Sequence, residues 1–216
     1  GYTVVNVNPL YTPRELEHQL KDSGAEAILL LENFASVLEK VIAKTNVKHV
    51  IMGSMGDLLG FKGHIVNFVV RKVKKMVPEF SIPSAISFND ALAAGRKMKL
   101  NKPKITGDDV AFLQYTGGTT GLSKGAALTH RNLVANTEQF KAMMPDALRP
   151  GQEVVVTAIP LYHIFALMVN FITYFSVGAD NWLVPNPRDI DSFLATVKAA
   201  RPTIFMGVNT LYAGLV

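Results

Sequence analysis

Residues 110–129 read Val110-Ala111-Phe112-Leu113-Gln114-Tyr115-Thr116-Gly117-Gly118-Thr119-Thr120-Gly121-Leu122-Ser123-Lys124-Gly125-Ala126-Ala127-Leu128-Thr129. Val110 to Tyr115 reads as a strand, Thr116 to Gly125 as a loop, and Ala126 to Leu128 as a second short strand. Thr129 then caps a helix running to about Met143. Between Tyr115 and Gly125 lie four glycines, three threonines, one serine and one lysine. Glycines let backbone N–H groups turn toward an anion, hydroxyls add donors and lysine adds charge, so the composition suits a polyphosphate. The loop is not a Walker A motif, because Ser123 precedes Lys124 and Gly125 follows it. No Gly-x-Gly-x-x-Gly runs through it, which removes the dinucleotide fingerprint. A flexible Gly/Thr hairpin is the reading that competes with phosphate binding.

Downstream, the predicted elements are strand Val154–Ala158, a helix from about His163 to Phe175, strand Asn181–Val184, helix Ile190–Ala199 and strand Thr203–Met206. Upstream, Gly1 to Pro9 reads as strand, and Thr12 to Ser23 as a helix with Thr12 as N-cap, Pro13 at its first position, Glu15 in the first turn and Gly24 as its stop. Strand Ala27–Leu31, helix Asn33–Lys44 and strand Val47–Met52 follow, then a glycine-rich loop from Gly53 to Gly63. Pro78 to Pro103 reads as a connector holding a short helix near Asn89–Ala94. The alternation defines an α/β class with mixed, largely parallel sheets flanked by helices. Its expected division is a first portion and connector over 1–107 and a phosphate-loop portion over 108–216. Both chain ends are expected to be internal to something longer.

His64 to Val77 has helical periodicity. At 100° per residue, Ile65, Val66, Val69, Val70, Val73, Met76 and Val77 share one arc, with Asn67, Arg71, Lys74 and Lys75 opposite. A helix packed on its own domain and an interfacial membrane helix both fit this pattern.

The chain has 216 residues, 49% hydrophobic and 18% charged, enough for one medium-sized or two small domains with a real core. Cysteine is absent, which excludes disulfides, thiolate metal sites and thiol catalysis and leads us to expect a reducing, cytoplasmic setting. Val154 to Ala179 carries no formal charge, but Pro160 and His163 interrupt it and Ile164–Ala179 falls short of the roughly 20 residues that span a bilayer. The net charge is +5, from 22 basic and 17 acidic residues. Lys62, Arg71, Lys72, Lys74 and Lys75 form one acid-free cluster, and Arg96, Lys97, Lys99, Lys102 and Lys104 another. Two local patches suit an anionic surface better than a nucleic acid, which is therefore not expected as a partner.

The segment Tyr115–Gly125 resembles the phosphate-binding signature of the adenylate-forming enzymes, the superfamily of acyl-CoA synthetases, luciferases and peptide-synthetase adenylation domains. Ser123 stands where that signature usually has proline, a departure that bears on loop stiffness more than on ligation. Ala126-Ala127-Leu128-Thr129-His130-Arg131-Asn132-Leu133 is similar to the strand and helix that follow the signature. Ile159-Pro160-Leu161-Tyr162-His163-Ile164-Phe165-Ala166-Leu167 is similar to the family's Pro-x-aromatic-His segment at the acyl pocket. Gly1–Ala25, Asn186-Pro187-Arg188-Asp189 and Gly207-Val208-Asn209-Thr210-Leu211 resemble the bacterial branch that ligates long-chain fatty acids to coenzyme A.

The resemblance implies an N-terminal adenylation domain that uses ATP and Mg²⁺, with a long-chain fatty acid and coenzyme A as the other substrates. It implies nucleotide contacts from Tyr115, Thr116, Gly117, Gly118, Thr119, Thr120, Gly121, Leu122, Ser123, Lys124, Gly125 and Ala126. Thr120, Lys124 and His163 would act in the reaction, and Tyr162, His163 and Leu167 would meet the acyl group. No metal ligand is assigned. The family's aromatic-Gly-x-Thr-Glu segment, ribose-binding Asp, hinge and C-terminal lid lysine do not occur in the sequence, so turnover by this chain alone is not expected. Peripheral contact with an anionic membrane on its inner face and a homodimer are carried as expectations. Another adenylate-forming activity, another phosphate-loop enzyme such as a kinase, and a non-catalytic lipid-binding module are the alternatives.

Overall fold

The computed structural model describes residues 1–116 and 123–214. In chain order its first elements are β1 (Val4–Val5), α1 (Pro13–Ser23), β2 (Ala27–Leu31), α2 (Ala35–Glu39) and β3 (His49–Gly53). Next come α3 (Phe61–Phe68), continued by a π-helical turn over Val69–Val73, then β4 (Ala85–Ser87) and α4 (Phe88–Gly95). The second half holds β5 (Val110–Thr116), β6 (Lys124–Thr129), α5 (His130–Met143) and β7 (Val154–Thr157). A π-helix over Ala166–Thr173 runs into α6 (Tyr174–Ser176), followed by β8 (Asp180–Leu183), α7 (Ile190–Ala200), β9 (Ile204–Met206) and α8 (Asn209–Ala213).

Among the described residues the strands form three three-stranded sheets, in the orders β1-β5-β6, β2-β3-β4 and β8-β7-β9. The ladders β1–β5, β2–β3, β3–β4, β7–β8 and β7–β9 are all parallel. The α/β class with largely parallel sheets is therefore observed. By contacts the chain divides into two compact units. One is Gly1 with Val7–Lys104 and Tyr115–Gly125; the other is Tyr2–Asn6, Ile105–Gln114 and Ala126–Val216.

In the first unit, α1 follows its sequence signals. Thr12 Oγ1 accepts from the Glu15 amide, the Glu15 carboxylate accepts from the Thr12 amide, and Gly24 ends the helix at φ +64°. Leu16 and Leu20 from this helix meet Ala35, Leu38, Val41 and Val50 in one core. The helix expected over Asn33–Lys44 is broken into a 3₁₀ turn at Glu32–Phe34, α2, and a second 3₁₀ turn at Ile42–Lys44. Ala35, Leu38 and Val41, three positions apart, all turn into the core of this unit.

The helix expected over His64–Val77 begins earlier, at Phe61, and its buried face is narrower than periodicity suggests: Val70 is buried and Val66 and Val69 are half-buried, whereas Ile65, Val73 and Met76 are exposed. The backbones at Gly56 and Gly63 abut so closely that a Cβ on Gly63 would sit 2.0 Å from Gly56 O. That contact turns Gly63, Asn67 and Val70 inward, and Asn67 Oδ1 accepts from the Gly56 amide at 2.7 Å. Arg71 donates from Nε to both oxygens of the buried Glu32 at 2.9 Å and from Nη2 to Ser54. The outer side instead presents Phe61, Ile65 and Phe68, respectively 83%, 57% and 62% exposed. The connector contains β4, which pairs with β3, as well as the expected short helix.

In the second unit, Val155 and Val156 of β7 are both fully buried. Val155 joins Leu148 and Tyr174 on one side, while Val156 joins Ala158, Phe193 and Ala200 on the other. A strand covered on both faces reads as a continuous apolar run, as Val154–Val156 does. The first strand is shorter than expected: only Val4 and Val5 pair, with Phe112 and Leu113.

Candidate functional site

The expected phosphate segment leaves β5 at Thr116 and re-enters β6 at Lys124. Gly117, Gly118, Thr119, Thr120, Gly121 and Leu122 lie outside the described residues. The residues on either side belong to the first unit.

Tyr115 is buried, at 8% exposure, and its hydroxyl donates to Asp22 Oδ2 at 2.6 Å. Burial first, and the Asp22 carboxylate second, raise the phenol well above its ordinary pKa, so it stays a protonated donor throughout the neutral range. The ring lies against Gly125. A Cβ there would approach Tyr115 Cε2 to 2.9 Å, so glycine at 125 is a requirement of this packing. Ser123 O is 2.8 Å from His18 Nε2. A carbonyl oxygen only accepts, so Nε2 carries the proton and donates. The Ser123 hydroxyl is buried and has no hydrogen-bond partner among the described residues. Thr116 and Lys124 are exposed at the two strand ends. Lys124 and Gly125, read from sequence as loop, are the first two residues of β6.

The expected acyl-contact residues lie in the second unit. Pro160 turns the chain, its carbonyl accepting from the His163 amide at 3.0 Å, and His163 O in turn accepts from the Leu167 amide at 3.0 Å. Tyr162 is half-buried, His163 is exposed, and Leu167 is buried at 8% exposure. Gln114, buried in β5, donates from Nε2 to Tyr162 O at 3.0 Å and accepts from Asn6 Nδ2 at 3.3 Å. It thus ties the Pro-x-Tyr-His turn to β5. Ala126, on β6, is exposed.

Tyr115, Ser123 and Gly125 are accordingly placed by one set of contacts, with Thr116 and Lys124 beside them on β5 and β6, and Tyr162, His163 and Leu167 by another. Three residues that organise these groups were not singled out in the sequence: His18, Asp22 and Gln114. A glutamine beside Tyr115 in an otherwise apolar strand was the available signal for the last, since a buried amide needs partners. No group of three or more His, Cys, Asp or Glu side chains among the described residues could hold a metal ion. An open depression of about 320 Å³ lined by Gly107, His130, Arg131, Val134 and Ala135 takes in none of the expected site residues.

With this fold and this loop placement, the chain falls in a defined class: it belongs to the AMP-binding enzyme family, whose model matches residues 1–216. It is 56% identical over 216 residues to a long-chain-fatty-acid–CoA ligase of Salmonella typhimurium strain LT2, matching 100% of this chain and 38% of that protein. The chain thus spans less than half the length of this relative. Among solved structures, an anthranilate CoA ligase in complex with anthranoyl-AMP superposes with a TM-score of 0.76 at 23% identity, over 98% of this chain and 36% of that one. A long-chain-fatty-acid–CoA ligase from Archaeoglobus fulgidus gives 0.73 at 24% identity, over 99% and 36%. These two likenesses establish the fold.

Proposed function

We propose that this chain is a piece of the N-terminal adenylation domain of an ATP-dependent long-chain fatty acid:CoA ligase. The observation that carries the reading is the end-to-end 56% identity with the Salmonella ligase, combined with the Thr- and Gly-rich segment between β5 and β6. In the first step a carboxylate oxygen attacks the α-phosphorus of ATP, the bond to pyrophosphate breaks, and an acyl-adenylate forms. In the second, the thiol of coenzyme A attacks the acyl carbon and AMP leaves. The protein must hold the carboxylate in line and stabilise the charge that develops on pyrophosphate.

Thr116, Thr119, Thr120 and the amides of Gly117, Gly118 and Gly121 take the β- and γ-phosphates in this reading, with Lys124 as the counter-charge. Tyr115, Leu122, Ser123, Gly125 and Ala126 shape and flank that cradle. His163, exposed at the start of its helix, faces the carboxylate, while Tyr162 and Leu167 contribute to the acyl entrance. Mg²⁺ is the expected companion of ATP and supplies charge neutralisation when bound. The described residues offer no group of three or more His, Cys, Asp or Glu side chains to hold it. The lid domain and the family's remaining motifs belong to the longer protein.

The test is adenylation in the full-length protein. Thr119→Ala with Thr120→Ala, or Lys124→Ala alone, should reduce acyl-adenylate formation by at least about tenfold, the scale of losing a transition-state donor. Unchanged single-turnover adenylation in both would reject the reading. The 216-residue chain alone should form no acyl-CoA.

A second element of the proposal is peripheral contact with an anionic membrane from the cytoplasmic side, through the outer face of α3. It is supported by the exposure of Phe61, Ile65 and Phe68 beside Lys62 and Lys72, also exposed. No helix among the described residues is long and apolar enough to cross a membrane. A homodimer is read by the mass of the full-length protein in solution, where a doubled value supports it.

A further inference from the structure

We infer that His18 and Asp22 are positioning residues that fix the two strand ends flanking the phosphate segment, so that one helix presets the loop for ATP. The inference rests on the phosphate reading of Thr116–Gly125 and deepens it.

His18 and Asp22 lie one turn apart on α1, so their side chains leave the same face of the helix. Asp22 accepts from the Tyr115 hydroxyl, on the strand that enters the segment. His18 donates to the Ser123 carbonyl, just before the strand that leaves it. The two contacts are thus made by different residues to opposite ends of the same segment, across 93 and 105 positions of sequence. Their anchor is firm. Leu16 and Leu20, on the same helix, are buried in the core of the first unit, and Thr12 and Gly24 close its two ends.

The packing of Tyr115 on Gly125 adds a third tie, from the entering strand to the leaving one. Tyr115 is therefore held on two sides, by Asp22 at its hydroxyl and by the glycine under its ring. Ser123 is of particular interest because the family signature usually has proline there. Proline fixes its own φ and so stiffens a loop through the chain itself. In this protein the same position is held from outside, through its carbonyl, by His18.

The segment between the ties contains Gly117, Gly118 and Gly121. Glycine loses more backbone freedom on ordering than any other residue. Fixing the two ends of a glycine-rich loop lowers the conformational cost of holding a ligand with it. The expected signature is specific to the nucleotide. Neither side chain contributes to the acyl-contact turn, so weakening them should raise the KM for ATP and leave that for the fatty acid alone.

The experiment uses the full-length protein, ATP–pyrophosphate exchange with palmitate, and the variants His18→Ala, His18→Gln, Asp22→Ala, Tyr115→Phe and the His18→Ala/Asp22→Ala double. Lys124→Ala serves as the reference for the loop itself. His18→Ala, Asp22→Ala and Tyr115→Phe should each raise the ATP KM by about fivefold, the scale of one lost hydrogen bond. Palmitate KM should stay within about twofold in all three, kcat likewise in His18→Ala and Asp22→Ala, and His18→Gln, which keeps an N–H donor, should recover most of the loss. An unchanged ATP KM in the double variant, with Lys124→Ala impaired, overturns the positioning role and leaves the loop reading standing. An unimpaired Lys124→Ala overturns both. Equal rises in both KM values, accompanied by a lower melting temperature and no rescue by glutamine, reduce the two residues to general structural supports and also overturn the inference.

Discussion

Gln114 Nε2 donates a 3.0 Å hydrogen bond to the main-chain oxygen of Tyr162, joining residues 48 positions apart. The amide's other end accepts from Asn6, so a single buried side chain links β5, the segment after β1 and the turn that carries His163. Replacing it by leucine keeps the volume roughly similar but leaves a carbonyl unsatisfied, at a cost of about 1–3 kcal/mol. Gln114→Leu should therefore lower the unfolding free energy by that amount in urea titration. It should also raise the KM for fatty acid more than that for ATP, because the turn holding Tyr162 and His163 loses its tie. A neutral effect on both quantities would show the bond to be dispensable.

The helix caps make a second, local prediction. Thr12→Ala removes one half of a reciprocal cap and should cost about 1 kcal/mol of stability at neutral pH. The Thr12 hydroxyl first, and its amide second, hold the Glu15 carboxyl below its usual range. A depressed folded pKa adds stability above the unfolded value and loses it as pH falls through the folded one. The difference between wild type and Glu15→Gln should accordingly shrink on acidification below about pH 4. Chemical denaturation at pH 7 and pH 3 measures it.

These caps were legible in the sequence because each is written in neighbouring residues: Thr12, Pro13, Glu15 and Gly24 around α1, and Thr129 before α5. The strands Ala27–Leu31 and Val154–Val156 were legible for the same reason, through their apolar runs. What sequence could not supply was any partner chosen at long range. Arg71 and Asn67 look like solvent-facing polar residues until Glu32 and the Gly56 amide are seen opposite them. The contact between Gly56 and Gly63, which orients α3, is likewise invisible to a periodicity count. For the candidate site, the loop composition and the Pro-x-Tyr-His turn could be read directly. His18 and Asp22 could not, since on α1 alone they are ordinary polar residues of a surface helix.

Glu153 yields a pH prediction in the second unit. Its carboxylate is buried and takes hydrogen bonds from Arg149 Nε at 2.7 Å, from the Arg149 amide and from the Thr203 hydroxyl. Arg149, then Thr203, lower its pKa from 4.5 to about 2, against the opposing effect of burial. The stabilisation is fully present above about pH 5 and is lost as pH falls toward 2, amounting to about 3 kcal/mol in all. Glu153→Gln should remove most of it at pH 7 and flatten the acid limb of stability against pH. Parallel acid limbs in wild type and variant would exclude this carboxylate as the source.

Periodicity placed Ile65, the valines and Met76 on one arc and Arg71 opposite it; Val70 is buried, but Ile65, Val73 and Met76 are exposed, and Arg71 is bound to Glu32 and Ser54. A variant that replaces Arg71 would therefore test the fold as much as the membrane. Phe61, Ile65 and Phe68 recur at helical spacing on one exposed side, and Lys62, Lys72, Lys74 and Lys75 remain as solvent-exposed cations around it. On an anionic bilayer each lysine contributes on the order of 1 kcal/mol near the surface, and the aromatic rings bury shallowly among the acyl chains. The two contributions separate by salt, which screens the charges and leaves the apolar insertion intact. The full-length protein should cosediment with phosphatidylglycerol vesicles, more weakly at high salt. Phe61→Ser/Ile65→Ser/Phe68→Ser should lose binding at both salts, whereas Lys62→Ser/Lys72→Ser/Lys74→Ser/Lys75→Ser should lose only the salt-sensitive part. Equal sedimentation of wild type and both variants would mean that this face is covered or inert in the full-length protein.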